Sequence, residues 1–215
     1  MPALTFRRFH LFAMFTWLTL CLDAMPAAAN NVAVGAPNQQ VAVFAGGCFW
    51  GVDAVFKHVK GVSEVVSGYA GGTAATATYE QVSTGTTGHA EAVRISFDPA
   101  QVSYGQLLQI FFSVAHDPTQ LNRQGPDVGS QYRSAIFYTT ADQQRIAQRY
   151  IQQLTAAHTF SGHIVTQVTP LMKFFPAEAY HQNYLARHPY QPYIVINDLP
   201  KLDHLRAQFP NWYKR

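Results

Sequence analysis

The sequence predicts an α+β fold built on a mostly antiparallel sheet. Segments with strand alternation and segments with helical spacing are mixed along the chain without a regular βαβα order. Several connections between them are too short to contain a crossover helix. Length adds a third observation: 215 residues, 13% charged and 13% aromatic, suit one ordinary domain with a sizeable core. The net charge is only +3, part of it from Arg7 and Arg8, and Lys and Arg are scattered, so no basic stripe suggests a nucleic-acid partner. No internal repeat or low-complexity segment is present.

Residues 1–29 read as a secretory signal: Arg7-Arg8, an apolar run from Leu11 to Leu22, then Ala27-Ala28-Ala29 as a small-residue cleavage site. The run is shorter than the roughly 20 residues that span a bilayer, which argues against a retained anchor. Leu20 before Cys21 lacks the small residue of a lipoprotein site, and the paired arginines lack most of a twin-arginine signature. The expectation is therefore an exported protein, periplasmic or secreted, free of the membrane after cleavage. Residues 30–40 read as a flexible leader, and residues 41–215 as the folded domain.

Val41–Ala45 is an apolar strand that runs into Gly46-Gly47-Cys48-Phe49-Trp50-Gly51. Val52, Val55, Phe56 and Val59 then follow at helical spacing, so Cys48 falls at a helix start, with the helix ending near Gly61. A thiol there is expected to be exposed and shifted toward thiolate by the helix dipole. Val62–Tyr69 reads as a strand, and a Gly/Ala/Thr loop delivers Tyr79-Glu80. In the segment 89–98, Glu91, Val93, Ile95 and Phe97 share one face. If that is the core face, Glu91 points inward at the strand's end, where a carboxylate is costly without a partner or a function; a structural salt bridge and catalysis both fit.

Ser103 with Gln106 forms a capping box ahead of a helix carrying Tyr104, Leu107, Leu108, Phe111 and Ala115, closed by His116-Asp117-Pro118. The polar loop from Thr119 to Gln131 is long enough to be an active-site loop. In the strand after it, Tyr132, Ser134, Ile136 and Tyr138 alternate with Arg133, Ala135 and Phe137, placing Tyr132 at the strand mouth. Thr140 with Gln143 offers a second capping box for a helix whose apolar face includes Ile146, Tyr150, Leu154 and Ala157. His163–Thr169 reads as a strand, Ala177–His188 as a short helix and Pro200–Gln208 as the last one.

Cys48, Glu91, Tyr79 and Tyr132 together offer a nucleophile, a proton donor and two phenolic donors. Phe49 and Trp50 offer an apolar wall. The alternatives are a thiol inert in the core and an aromatic pair that only packs. Metal binding lacks support, since no Cys-x-x-Cys, His-Glu-x-x-His or other ligand spacing occurs. A cysteine-dependent hydrolase using His89 or His116 as base remains open, as does a non-catalytic exported peptide-binding module.

Six ordered motifs carry a resemblance: Gly46-Gly47-Cys48-Phe49-Trp50-Gly51, Tyr79-Glu80, Thr87 to Val93, His116 to Gln120, Asp127 to Ser134, and Ala177 to Gln182. In order and spacing they resemble the A-type peptide methionine sulfoxide reductases, from Val41 to about Tyr193. The resemblance implies an α/β two-layer sandwich with a ferredoxin-like core and reduction of methionine S-sulfoxide, free or in peptides and proteins. It implies Cys48 as nucleophile, Glu91 as acid, and Tyr79 and Tyr132 as hydrogen-bond donors to the sulfoxide oxygen. Phe49 and Trp50 would hold the substrate methyl group, with Asp127 near the site. An inward Glu91 in apolar surroundings holds its proton better than a solvated one, which agrees with that role.

Many family members carry resolving cysteines near the C-terminus, whereas no cysteine follows Cys48 here. The expectation is a one-cysteine, monomeric enzyme with no bound cofactor. Its sulfenic acid would be reduced by an external thiol: a thioredoxin-like protein, glutaredoxin or glutathione, or dithiothreitol in vitro. Its role would be repair of oxidised exported proteins.

Overall fold

The computed structural model describes residues 39–215. The expected signal lies outside the described residues, as does the leader apart from its last two positions. Of those two, Gln40 is already in a strand.

The first strand, β1 (Gln40–Gly46), leads through the Cys48 turn into helix α1 (Phe49–Lys57) and strand β2 (Val62–Ala70). After the one-turn helix α2 (Tyr79–Val82) comes β3 (Ala90–Phe97), then α3 (Tyr104–Ile110), which a π turn over Phe111–Ala115 extends. Two short strands, β4 (Arg123–Gln124) and β5 (Asp127–Val128), form a small hairpin before β6 (Ser134–Tyr138). Helix α4 (Ala141–Ala156), β7 (Gln167–Pro170), β8 (Phe174–Pro176), α5 (Tyr184–Arg187) and α6 (Leu199–Gln208) complete the chain.

The main sheet has the order β7-β6-β1-β3-β2-β8, antiparallel except where β7 runs parallel to β6. Its inner four strands, β6-β1-β3-β2, with α1 between β1 and β2 and α3 after β3, have the arrangement of a ferredoxin-like core. The α+β expectation holds. One sheet face turns Phe44, Val93, Ile95, Phe97 and Ile136 toward Val52, Val55 and Phe56 of α1 and Leu107 and Leu108 of α3, all buried in one core. The other face is lined by Val43, Ala45, Ala70, Ala90, Ala92, Ala135 and Phe137. Burying a Phe or Leu side chain contributes about 1.5–3 kcal/mol, so the first face carries most of the stabilisation.

Local signals are realised with adjustments. At α3 the capping box is complete: Gln106 N–H donates to Ser103 Oγ (3.2 Å) and Ser103 N–H to Gln106 Oε1 (2.8 Å). At α4 only half forms. Gln143 N–H donates to Thr140 Oγ1 (3.2 Å), but Gln143 Nε2 donates to Val41 O (2.7 Å), tying the helix to β1. That tether sets the helix phase, so Ala147, Tyr150, Ile151 and Leu154 face the core while Ile146 and Ala157 face out. Helix α1 stops at Lys57 rather than Gly61, because Val59 bridges to Tyr213. The strand expected over 163–169 shortens to β7, and the helix expected over 177–188 divides into a 3-10 turn (Ala179–His181) and α5, parted by Asn183 in the left-handed region.

Candidate active site

Strand β1 ends at Gly46, and Gly47 turns the chain with φ +90. A Cβ at 47 would lie 2.5 Å from Gln124 Cβ, so both the turn and the close approach require glycine. The turn sets Cys48 at the N-cap of α1. The thiol is only 9% exposed, which corrects the expected exposed thiolate. Burial pushes the Cys48 thiol well above its usual range, with Glu91 and Asp198 adding to the rise; the Trp50 backbone N–H and Lys201 pull the other way. The first helical N–H does not serve the sulfur: Phe49 N–H donates to Glu91 Oε2 at 3.0 Å.

Glu91, second residue of β3, lies opposite Tyr69 of β2 and is 3% exposed. It takes part in no salt bridge among the described residues. Burial drives its carboxyl from the ordinary 4.5 up to about 8, opposed by the Phe49 N–H bond and assisted by Asp127. Glu91 is therefore a neutral acid at pH 7, with Oε2 occupied by Phe49 and Oε1 left to carry the proton.

Tyr79 opens α2, where its N–H donates to Glu178 Oε1 (2.9 Å). Tyr132 is not at a strand mouth. It ends a 3-10 turn (Ser130–Tyr132), its N–H donating to Gly129 O at 3.0 Å, and β6 starts two residues later. Burial and the neighbouring Glu91 raise both phenols, which keeps them protonated as donors. Phe49 is buried against Tyr69 and His181. Trp50 stacks on Tyr184 and donates from Nε1–H to His181 Nδ1 (3.2 Å). Asp127, at the start of β5, accepts from the Tyr193 hydroxyl.

Cys48, Phe49, Trp50, Tyr79, Glu91, Asp127 and Tyr132 all line one cavity of 160 Å³, so every residue that the family resemblance assigned to the site meets there. Its eighth lining residue, Tyr193, was missed; it caps a π turn over Ile194–Asp198 that no sequence pattern marks. The supporting roles of Glu178 and His181 were missed too, although their motif had been singled out. A larger cavity of 440 Å³ beside Lys57, Val62 and Lys214 borders none of these residues. The two histidines considered as hydrolase bases lie elsewhere. The His89 ring is held by Gly72 N–H and Thr73 O, and His116 bridges Phe111 O and Ser134 Oγ, with burial lowering its pKa to about 4. Neither lines the Cys48 cavity. Among the described residues, no group of three or more His, Cys, Asp or Glu is placed to hold a metal ion.

A sequence model described as peptide methionine sulfoxide reductase matches residues 40–213. The chain belongs to the peptide methionine sulfoxide reductase family. It is 58% identical over 178 residues to "Peptide methionine sulfoxide reductase MsrA 2" of Mesorhizobium japonicum, covering 83% of this chain and 91% of that one. A protein of the same name from Synechocystis is 55% identical over 185 residues, 86% of each chain. Among solved structures, methionine sulfoxide reductase A of Corynebacterium diphtheriae superposes with a TM-score of 0.64 at 37% identity, covering 74% of this chain and 80% of that one. Reduced Mxr1 from Saccharomyces cerevisiae does so at 0.66 and 29% identity, covering 71% and 87%. The likeness over most of the chain makes this an A-type methionine sulfoxide reductase that works with a thiol reductant, and it sets aside the hydrolase and peptide-binding readings.

Proposed function

We propose that the 160 Å³ cavity binds the S-epimer of a methionine sulfoxide side chain and that Cys48 takes its oxygen. The cavity is well below the roughly 300–1,000 Å³ of sites for drug-sized ligands, a size that suits a side-chain tip rather than a folded peptide. Phe49 and Trp50 receive the methyl group, while Glu91 Oε1–H and the Tyr79 and Tyr132 hydroxyls donate to the sulfoxide oxygen. Protonation by Glu91 makes the sulfoxide sulfur electrophilic, and Cys48 attacks it as its own proton leaves to regenerate the acid. Oxygen then passes to Cys48, so that thiol plus sulfoxide yields sulfenic acid plus methionine, with no net proton taken up.

The observation that carries this reading is Glu91, buried, neutral up to about pH 8, and lining the same cavity as Cys48. No cysteine follows Cys48 in the sequence, which supports reduction of the sulfenic acid by an external thiol of the thioredoxin, glutaredoxin or glutathione kind. The charged, apolar and small-residue parts of residues 1–29 support export and a repair role outside the cytoplasm. The test is a single turnover with a sulfoxide peptide and no reductant. About one methionine per enzyme and a sulfenic acid seen by mass spectrometry are expected. Hydrolysis of an ester or peptide without methionine release would overturn the reading.

A further inference from the structure

Cys48 borders a second cavity. Beyond a wall shared by Asp127 and Tyr193 lies a space of 80 Å³ whose other lining residues are Gln124, Gly125, Pro126, Asn197 and Lys201. None of Phe49, Trp50, Tyr79, Glu91 and Tyr132 borders it. The space equals the liquid volume of only two or three waters, enough for a –CH₂–SH tip but too little for a peptide. It also differs from the first cavity in holding a cation, Lys201.

That cation is fixed in place. Lys201 Nζ lies 3.1 Å from Asp198 Oδ1, and Asp198 is fully buried with Oδ2 unpartnered among the described residues. A Cβ on Gly51 would lie 2.1 Å from Asp198 Oδ1 and 2.7 Å from Lys201 Nζ. The missing side chain lets the ion pair lie against the first turn of α1, three residues past Cys48. The Lys201 side chain keeps 19% exposure, so its ammonium can meet an arriving anion.

We propose that this second cavity is the port by which the reducing thiol reaches oxidised Cys48, with Lys201 favouring thiols that carry negative charge. The inference rests on the Cys48 sulfenic acid proposed above. A thiolate displaces a group from sulfur along the line of the breaking bond, entering opposite the leaving atom. The sulfenic oxygen is left among Glu91, Tyr79 and Tyr132, and the Lys201 cavity is the approach that passes none of them. The incoming thiolate forms an S–S bond to Cys48 as the S–O bond breaks, and hydroxide leaves as water with the Glu91 proton. A second thiol then attacks the reductant's sulfur, releasing Cys48 and an external disulfide, while solvent reprotonates Glu91. In sum, Cys48 sulfenic acid and two thiols give Cys48 thiol, one disulfide and one water.

The test uses enzyme oxidised by one equivalent of sulfoxide peptide, then mixed with glutathione, which carries two carboxylates, or with 2-mercaptoethanol, which carries none. In Lys201→Gln the rate with glutathione should fall about tenfold relative to that with 2-mercaptoethanol, and Lys201→Arg should restore the wild-type ratio. Asn197→Phe, which narrows the cavity, should slow both thiols while methionine release still reaches one per enzyme. An unchanged thiol ratio in Lys201→Gln, or wild-type reduction of Asn197→Phe, overturns the port. Absence of methionine release from the wild-type enzyme would instead overturn the sulfenic acid reading on which it rests.

Discussion

Two regions build the site, and they do so in different ways. The N-terminal half, from β1 through β3, supplies Cys48, Phe49, Trp50 and Glu91 from the ends of regular elements, where sheet register and helix start fix their positions. The C-terminal stretch from Ala177 to Asp198 is made of short turns and one-turn helices, and it mostly acts from behind. There, Glu178 holds the Tyr79 N–H and the Tyr69 hydroxyl, His181 holds the Trp50 indole, and Tyr193 holds Asp127. The difference separates atoms that react from atoms that hold the reacting ones. Substitutions of Cys48 and Glu91 should therefore act on the chemical step, and those in the second region on substrate binding.

The largest effect is expected at Cys48. Cys48→Ser should release no methionine in a single-turnover assay with dithiothreitol present, while circular dichroism reports an intact fold; measurable release would remove it as nucleophile. Glu91→Gln comes next, lowering the single-turnover rate by about 10²–10⁴-fold, the usual worth of a positioned general acid. Its thiol should still be alkylated by iodoacetamide, and near-normal turnover would end the acid assignment.

The pH profile follows from the same carboxyl. Glu91 donates only while protonated, so the single-turnover rate should fall as pH rises through about 8, and Glu91→Gln should lose that descending limb. A limb that persists in the variant would belong to another group. In the C-terminal stretch, Tyr193→Phe removes the hydroxyl held by Asp127 and should raise KM about three- to tenfold with kcat little changed, as for one lost hydrogen bond. A fall in kcat of the size seen at Glu91 would erase the distinction between the two regions.

The smallest effect concerns stability. The folded pKa of Glu91 is raised from the ordinary 4.5 to about 8, so the folded state keeps a proton that the unfolded chain has lost between those values. Its contribution to stability is fully present below about 4.5 and declines as pH rises toward 8. Glu91→Gln carries no such loss, and its Tm relative to wild type should be higher at pH 9 than at pH 5. Thermal scans at the two pH values would show this, and an equal difference at both would contradict the buried neutral carboxyl.

What the sequence determined alone follows from period and punctuation. Alternation in β3 put Glu91 on the core face because side chains in a strand change sides at every residue, and the structure keeps that face. The two glycines before Cys48 marked the turn, and Ser103 with Gln106 marked a helix start, because caps and turns are satisfied within a few residues. The long loop from Thr119 to Gln131 was legible as site material, and it brings Gln124 and Asp127 to the Cys48 cavities. Only the tertiary structure decided the rest. Tyr132 left its expected strand for a turn, Ile146 turned outward once Gln143 bonded Val41, and the Cys48 thiol rose in pKa rather than fell. Each of these outcomes depends on a neighbour far away in sequence. The Cys48 thiol shows why this matters: a helix start is local and favours the thiolate, but burial among Glu91, Asp198 and the core removes water from the sulfur, and in the folded protein that cost is the larger of the two.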